Sequence, residues 1–366
     1  MEGRADYVVK RTLFALLTVF VAVTINFLLF RALPGDAVSG LRCQHCTIQF
    51  KAALRHDLGL DKSKWEQYKI YLKQLAHGNL GLSDVSHEPV RGLLWDPLKN
   101  TLLMLTLGTV FSIIFGLLTG VVAAWRRGTW VDKGSLWTSL AFYSMPTQWL
   151  GLMIVYFVAD RIGLPHGGIQ SPDLGILGNP STYDYWKDRL EHMILPALTL
   201  GLVLYGEYTL IVRSAMLETL GEDYVLTARA KGLSNFAIVR KHGLRNAMLP
   251  IVTLIALSLG FIVGGAITVE YVFDYPGIGL AIVDAIDKRD YTFLQGAFLL
   301  LTISVILFNF LADLLYFKLD PRVTTRRSTI RFQLRRNSSR SSPPRASASA
   351  VPPASCARRS SASRRR

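Results

Sequence analysis

The sequence predicts an all-α, polytopic membrane protein with six transmembrane helices. Half of its 366 residues are hydrophobic, and they are gathered into long runs rather than spread evenly. Uncharged runs extend from Thr12 to Phe30, Thr101 to Trp125, Gly134 to Ala159, Asn246 to Val269 and Tyr291 to Ala312; a sixth, Met193 to Val212, contains one charge, Glu207. A helix needs roughly 20 apolar residues to cross the hydrocarbon core. Buried helices of a large soluble core would rarely give runs of this length. The third observation is the net charge of +15, which is not a property of the whole chain. From Lys318 onward there are fourteen Lys and Arg against one acid, so a nucleic-acid partner inferred from the basic pI would rest on the tail alone. No nucleic acid is expected.

Residues 1–33 form the first span with its short basic lead of Arg4, Lys10 and Arg11. The apolar run is long for the core of a signal peptide, and no small-x-small cleavage site precedes Leu33-Pro34. An uncleaved helix with its N-terminus in the cytoplasm follows from the positive-inside rule. Six spans then place both termini inside. The inside connections, Arg126 to Lys133 and Arg213 to Arg245, carry three and six basic residues. The outside connections carry an excess of acids, with five in Asp160 to Glu191 and four in Tyr271 to Asp290.

Residues 34–98 form an extracytoplasmic segment. Phe50, Ala53 and Leu54, then Trp65, Tyr68, Leu72 and Leu75, recur at helical spacing, with Gly59 and Gly78 as stops. They predict two amphipathic helices lying over the ends of the bundle. Cys43 and Cys46 in this segment are compatible with a small disulfide loop, which suits an oxidising exterior, or with free thiols; a metal site needs more ligands than Cys-Gln-His-Cys supplies.

Residues 99–317 form the core. Pro146 interrupts the third run and is followed by Gln148; Gly260, Gly264 and Gly265 on the fifth permit close helix contact or bending. Asp274-Tyr275-Pro276-Gly277 is a turn signal at the outer end of that span. Glu207 is costly within a span, about 2.5–3.5 kcal/mol on insertion scales, so it faces a watery pathway or an interhelical partner. Asn26 and Asn309 are expected to bond between helices. His77, His87, His166 and His192 fall outside the apolar runs without metal-ligand spacing and are expected to be solvated or loop residues. Residues 318–366, rich in Ser, Arg, Pro and Ala, cannot bury enough apolar surface to offset their ordering entropy. They read as a basic disordered tail whose charge attracts anionic lipid at about 1 kcal/mol per residue near the surface.

The stretch from Glu222 to Pro250 is the most organised connection. Glu222 and Asp223 open a helix to Lys231, where acids suit the positive end of the dipole. Gly232 occupies the left-handed C-terminal cap position, and Ser234 caps a second helix from Asn235 to His242. Ala228, Ala230 and Gly232 leave room for another surface to approach. TARAKGLS followed by RNAMLP resembles the cytoplasmic EAA loop of type I ABC-transporter permeases, in the version carried by dipeptide and oligopeptide importers. Where the general family reads Glu-Ala-Ala, three residues, Gly and a later Leu-Pro, this chain has Leu226-Thr227-Ala228, Gly232 and Leu249-Pro250; the Glu and first Ala are absent. Leu33-Pro34-Gly35-Asp36, Gly78-Asn79-Leu80-Gly81, Asp274-Tyr275-Pro276-Gly277-Ile278-Gly279 and Leu319-Asp320-Pro321-Arg322 extend the resemblance over nearly the whole chain.

The resemblance implies the type I ABC importer permease fold and residence in a bacterial cytoplasmic membrane. It implies assembly with a second homologous permease, two ATPase subunits and an extracytoplasmic solute-binding protein. It implies that Asp223, Tyr224, Thr227, Ala228, Arg229, Ala230, Gly232, Leu249 and Pro250 form the loop that engages an ATPase. Glu207, Gln148, Gly264, Pro276 and Gly277 are candidates for the translocation pathway. The chain has no Gly-Lys dipeptide and hence no P-loop, so ATP hydrolysis is expected of separate subunits. No catalytic residue, metal or cofactor is expected in this chain. A secondary transporter or channel is the competing class; it would need coupling carboxylates or inverted repeats.

Overall fold

The structure is a computed structural model and describes residues 2–32, 62–175, 181–245, 247–248, 251–252, 255 and 267–319. Cys43 and Cys46, the amphipathic stretch around Phe50, Leu249, Pro250, Gly260, Gly264, Gly265 and the tail lie outside the described residues. Among those described, the chain is helical apart from turns and one isolated antiparallel bridge between Leu82 and Pro89.

The main helices in order are α1 (Glu2–Ala32), α2 (Lys64–Ala76), α3 (Val90–Trp125), α4 (Trp130–Ser144), α5 (Thr147–Ile154, continuing as a π turn over Val155–Ala159 and a last turn over Asp160–Ile162), α6 (Thr182–Leu220), α7 (Asp223–Ala230), α8 (Asn235–Ala237, continuing as a π-helix over Ile238–Leu244), α9 (Ile278–Lys288) and α10 (Tyr291–Leu319). Four of them, α1, α3, α6 and α10, are individually long and apolar enough to cross a membrane. The third apolar run is not one rod: Met145 and Pro146 are extended and divide it into α4 and α5. Pro146 has no amide hydrogen to continue the ladder and biases Met145 out of the helical region. Most of the fifth run lies outside the described residues.

Two helices begin well before their apolar runs. At α3 the extra turns bury Val90 and Leu94 against Ile278, Ile282 and Phe293, while the charges that ended the run, Asp96 and Lys99, point outward and pair at 2.9 Å. At α6, Ser181 caps the first turn by accepting from the Asp184 amide at 3.1 Å. Its early turns are amphipathic. His192, expected in a solvated or loop setting, is instead buried there with Nδ1 2.8 Å from the Asp188 carbonyl.

The centre of the fold is α6, packed along its length against α3 and, on another side, α4. A Cβ at Gly116 of α3 would lie 2.5 Å from Tyr208 Cβ, and one at Gly206 of α6 would lie 2.5 Å from the Ser139 carbonyl of α4. Side chains there would push the helices apart, so α3, α4 and α6 form one close-packed block. Around it, α1 packs on α10, joined by Asn26 Nδ2 donating to the Gln295 carbonyl and by an Arg11–Asp313 ion pair. Asn309 makes no such bond among the described residues. The amphipathic α2 lies over the end of α1 as expected, with Tyr68 buried, its ring 5.2 Å from that of Phe27 and its hydroxyl 2.7 Å from Thr24 Oγ1.

Candidate functional site: a structured loop at one end of the block and a buried clamp at the other

Leaving α6 at Leu220, the chain turns through Gly221 into α7. Gly232 has φ +76°, and the turn is closed by the Gly232 amide to the Arg229 carbonyl at 2.9 Å and the Leu233 amide to the Ala228 carbonyl at 3.3 Å. That is the left-handed C-terminal cap expected from the sequence. Ser234 Oγ accepts from the Ala237 amide at 3.3 Å and caps α8. The second helix extends to Leu244 rather than His242, and from Ile238 it winds as a π-helix. This i→i+5 winding brings Ile238 and Gly243, both buried, onto one side; a Cβ on Gly243 would meet Met216 of α6 at 3.0 Å.

The loop has its own small core of Val225, Ala228 and Ile238 with Leu220. Its second half, through Val239, Ala247 and Ile251, packs on Ala124, Val212, Ala215 and Met216 at the ends of α3 and α6. Of the small residues expected to admit another surface, Ala230 and Gly232 are exposed, whereas Ala228 is buried in that internal core. Asp223, Tyr224, Thr227 and Arg229 are exposed. Beside them lies an apolar set that no local sequence signal marks as exposed, Leu226, Leu233 and Phe236, with Leu226 and Phe236 59% and 60% exposed. Exposed aliphatic and aromatic side chains on short helices are what a helix-in-groove contact would bury.

Just above the loop, Arg213 of α6 and Asp132 of α4 form a two-pronged ion pair, with Nε to Oδ1 at 2.6 Å and Nη2 to Oδ2 at 3.0 Å. The Asp132 side chain is 4% exposed and also accepts from the Gly128 amide at 2.9 Å. The Arg213 guanidinium holds its carboxyl below the usual carboxylate range. Arg213 and Arg189, both on α6, lie about 36 Å apart along it at 1.5 Å per residue, so this one helix joins the loop to the opposite end of the block.

At that opposite end lies a buried polar cluster centred on Glu270, itself fully buried. Its Oε1 accepts from Thr101 Oγ1 at 2.5 Å, and its Oε2 accepts from the amides of Gly279 at 2.6 Å and Leu280 at 3.1 Å. Thr101 Oγ1 in turn accepts from the Ile278 amide at 2.8 Å, so the first three amides of α9 are all satisfied by these two side chains. The neighbouring Asn100 donates Nδ2 to the Pro276 carbonyl at 2.8 Å and accepts from Arg189 Nη2 at 2.7 Å. Pro276 and Gly277 are therefore in a clamped turn. A Cβ on Gly277 would lie 2.2 Å from Glu270 Cδ.

Glu207, midway along α6, is half-buried and makes no hydrogen bond or ion pair among the described residues. Gln148 is exposed at the start of α5.

Two family models match the chain. The binding-protein-dependent transport system inner membrane component matches residues 116–325, and the N-terminal region of such components matches residues 5–104. Among curated relatives, the dipeptide transport system permease of Alkalihalophilus pseudofirmus is 34% identical over 325 residues, covering 86% of this chain and 98% of the relative. A di/tripeptide transport system permease of Pseudomonas aeruginosa is 38% identical over 335 residues, covering 87% and 99%. A glutathione transport system permease of Escherichia coli K12 is 35% identical over 319 residues, covering 87% and 98%.

Proposed function

The chain belongs to the family of binding-protein-dependent transport system inner membrane components, and from that premise we propose that it carries peptides inward by passing motion from a separate ATPase through its loop at residues 222–250. It is a membrane-spanning permease subunit of an ATP-driven importer, with the permease fold of that family. This disposes of the secondary transporter or channel as a class. The finer reading is that the cargo is a dipeptide, a tripeptide or glutathione, the substrates for which its relatives are named.

The observation that carries the mechanism is the attachment of the loop. It is self-cored, presents Leu226, Leu233 and Phe236 outward, and is packed onto the ends of α3 and α6. A force on its outer face therefore reaches two long helices directly, and the close-packed α3–α4–α6 block moves as a body. The loop faces the cytoplasm, as its basic residues favour, with the N- and C-termini on the same side. There it engages one of two ATPase subunits. A second homologous permease completes the passage, and an extracytoplasmic solute-binding protein delivers cargo. Glu207, with its carboxylate uncommitted, lines the pathway.

The test is reconstitution of the complex purified with its co-expressed partners. Uptake of a labelled dipeptide into proteoliposomes is expected to require both ATP and the binding protein. Uptake that proceeds equally without ATP, or a purified complex that lacks an ATPase subunit, would overturn the proposal.

A further inference from the structure

We infer that Glu270, Thr101 and Asn100 form a mechanical link that makes α9 and the Asp274–Gly277 turn move with the α3–α4–α6 block. The inference rests on the reading of the loop as the coupling element and extends it to the opposite end of the molecule. Glu270 lies on the helical stretch that ends the fifth apolar run, and Asn100 and Thr101 lie on α3. Together they hold the Pro276 carbonyl and the amides of Ile278, Gly279 and Leu280, so a short segment is gripped from two separate helices.

The choice of chemistry argues for a link rather than filler. No Lys, Arg or His among the described residues pairs with Glu270; its donors are one hydroxyl and two amides at the positive end of α9. Apolar packing of similar volume is often as stable as a buried charged arrangement, or more so. What the polar arrangement adds is direction and register. Gly277 and Gly279 reinforce this, since a Cβ on Gly279 would lie 2.8 Å from Glu270 Oε2 and 2.4 Å from Ile267 Cα. The carboxylate can seat only against a bare backbone. Asn100 joins the same grip to Arg189 of α6, so both long helices of the block hold the turn.

These are positioning residues, and the readout must be motion rather than activity alone. The experiment uses the complete complex, with Cys43, Cys46 and Cys356 replaced by serine. One reporter cysteine replaces Ile286, exposed on α9, and in a parallel sample another replaces Leu226 on the loop. The rate of maleimide labelling is compared between nucleotide-free and ATP–vanadate-trapped complexes. In the parent, both reporters are expected to change rate with nucleotide.

In Thr101→Val and in Glu270→Gln, the loop reporter is expected to keep its response while the α9 reporter loses it. The labelling ratio at α9 is expected to collapse to about one, with uptake falling about ten-fold, within the usual range of site-to-site coupling. Thr101→Ser, which keeps the hydroxyl, is expected to restore both. A simple folding defect would abolish both reporters' responses and is separated in this way. If α9 keeps its full response in Thr101→Val and Glu270→Gln, or if it fails to respond in the parent while the loop does, the link is refuted and the coupling loop stands. If the loop reporter is silent in the parent, the coupling reading fails and takes the link with it.

Discussion

Replacing Gly232 by valine is expected to reduce ATP-driven uptake by an order of magnitude or more while the chain inserts and assembles normally. The reason is conformational rather than steric. Among the described residues no heavy atom lies within 4 Å of where a Cβ would sit, but φ is +76°. A left-handed conformation costs an L-residue about 1–2 kcal/mol, and for a β-branched side chain it is a genuine outlier. The turn relaxes by giving up the Leu233 amide to Ala228 carbonyl bond, which re-aims α7 relative to α8 and tilts Leu226 away from Phe236. The proposed docking face, built from two short helices, is not expected to survive that change, whereas the α3–α4–α6 packing is untouched. Gly232→Asn discriminates the cause, because asparagine tolerates the left-handed region. Most uptake should return with it, although it is far larger than the hydrogen it replaces. Retention of normal uptake by Gly232→Val would contradict the role assigned to the loop.

The largest stability effect is expected at Asp132. Removing its carboxylate by Asp132→Ala leaves the Arg213 guanidinium, 18% exposed, without its anion. Breaking such a pair from one side costs about 3 kcal/mol or more, because the remaining charge stays buried. The melting temperature of the purified complex should fall clearly. The double replacement Asp132→Leu with Arg213→Met should recover most of the loss, since it strands no charge. The pH dependence has a definite sign. The pair holds Asp132 below the usual carboxylate range, so its stabilisation is complete at pH above that range and is lost as pH falls through the lowered value. Acidification should therefore lower the melting temperature of the parent more than that of the double replacement.

Much of the fold was legible because crossing a membrane imposes a simple requirement on composition. The runs from Thr12, Thr101, Met193 and Tyr291 each became part of one long helix. The loop was legible too, for its signals are local: acids ahead of α7, Gly232 at a left-handed cap and Ser234 at an N-cap all act within a few residues. What escaped was non-local. Arg213 finds its partner 81 residues away, at Asp132, in a connection that reads as merely basic. Glu270 abuts the last residue of an apolar run and precedes the outer connection counted from Tyr271, so it falls in neither, and Glu207 stands as the sole acid within a span. The structure buries Glu270 completely. The usable signal was an acid at the edge of a span, seven residues ahead of Gly277, the glycine that opens α9. The π winding after Ile238 likewise has no composition of its own; it places Gly243 against Met216 of α6, a contact the sequence does not announce. Helix starts were read too late at α3 and α6 because outward-pointing charges interrupt hydropathy without interrupting a helix.

Site-specific cross-linking from the loop is the most direct test that this permease receives its motion through residues 222–250. With the three native cysteines replaced by serine and a single cysteine in place of Phe236, a short bifunctional reagent applied to membranes should join the permease to an ATP-hydrolysing subunit, with a yield that changes when ATP and vanadate are added. A cysteine there that reacts only with impermeant reagents from outside the cell, and never joins an ATPase, would contradict it.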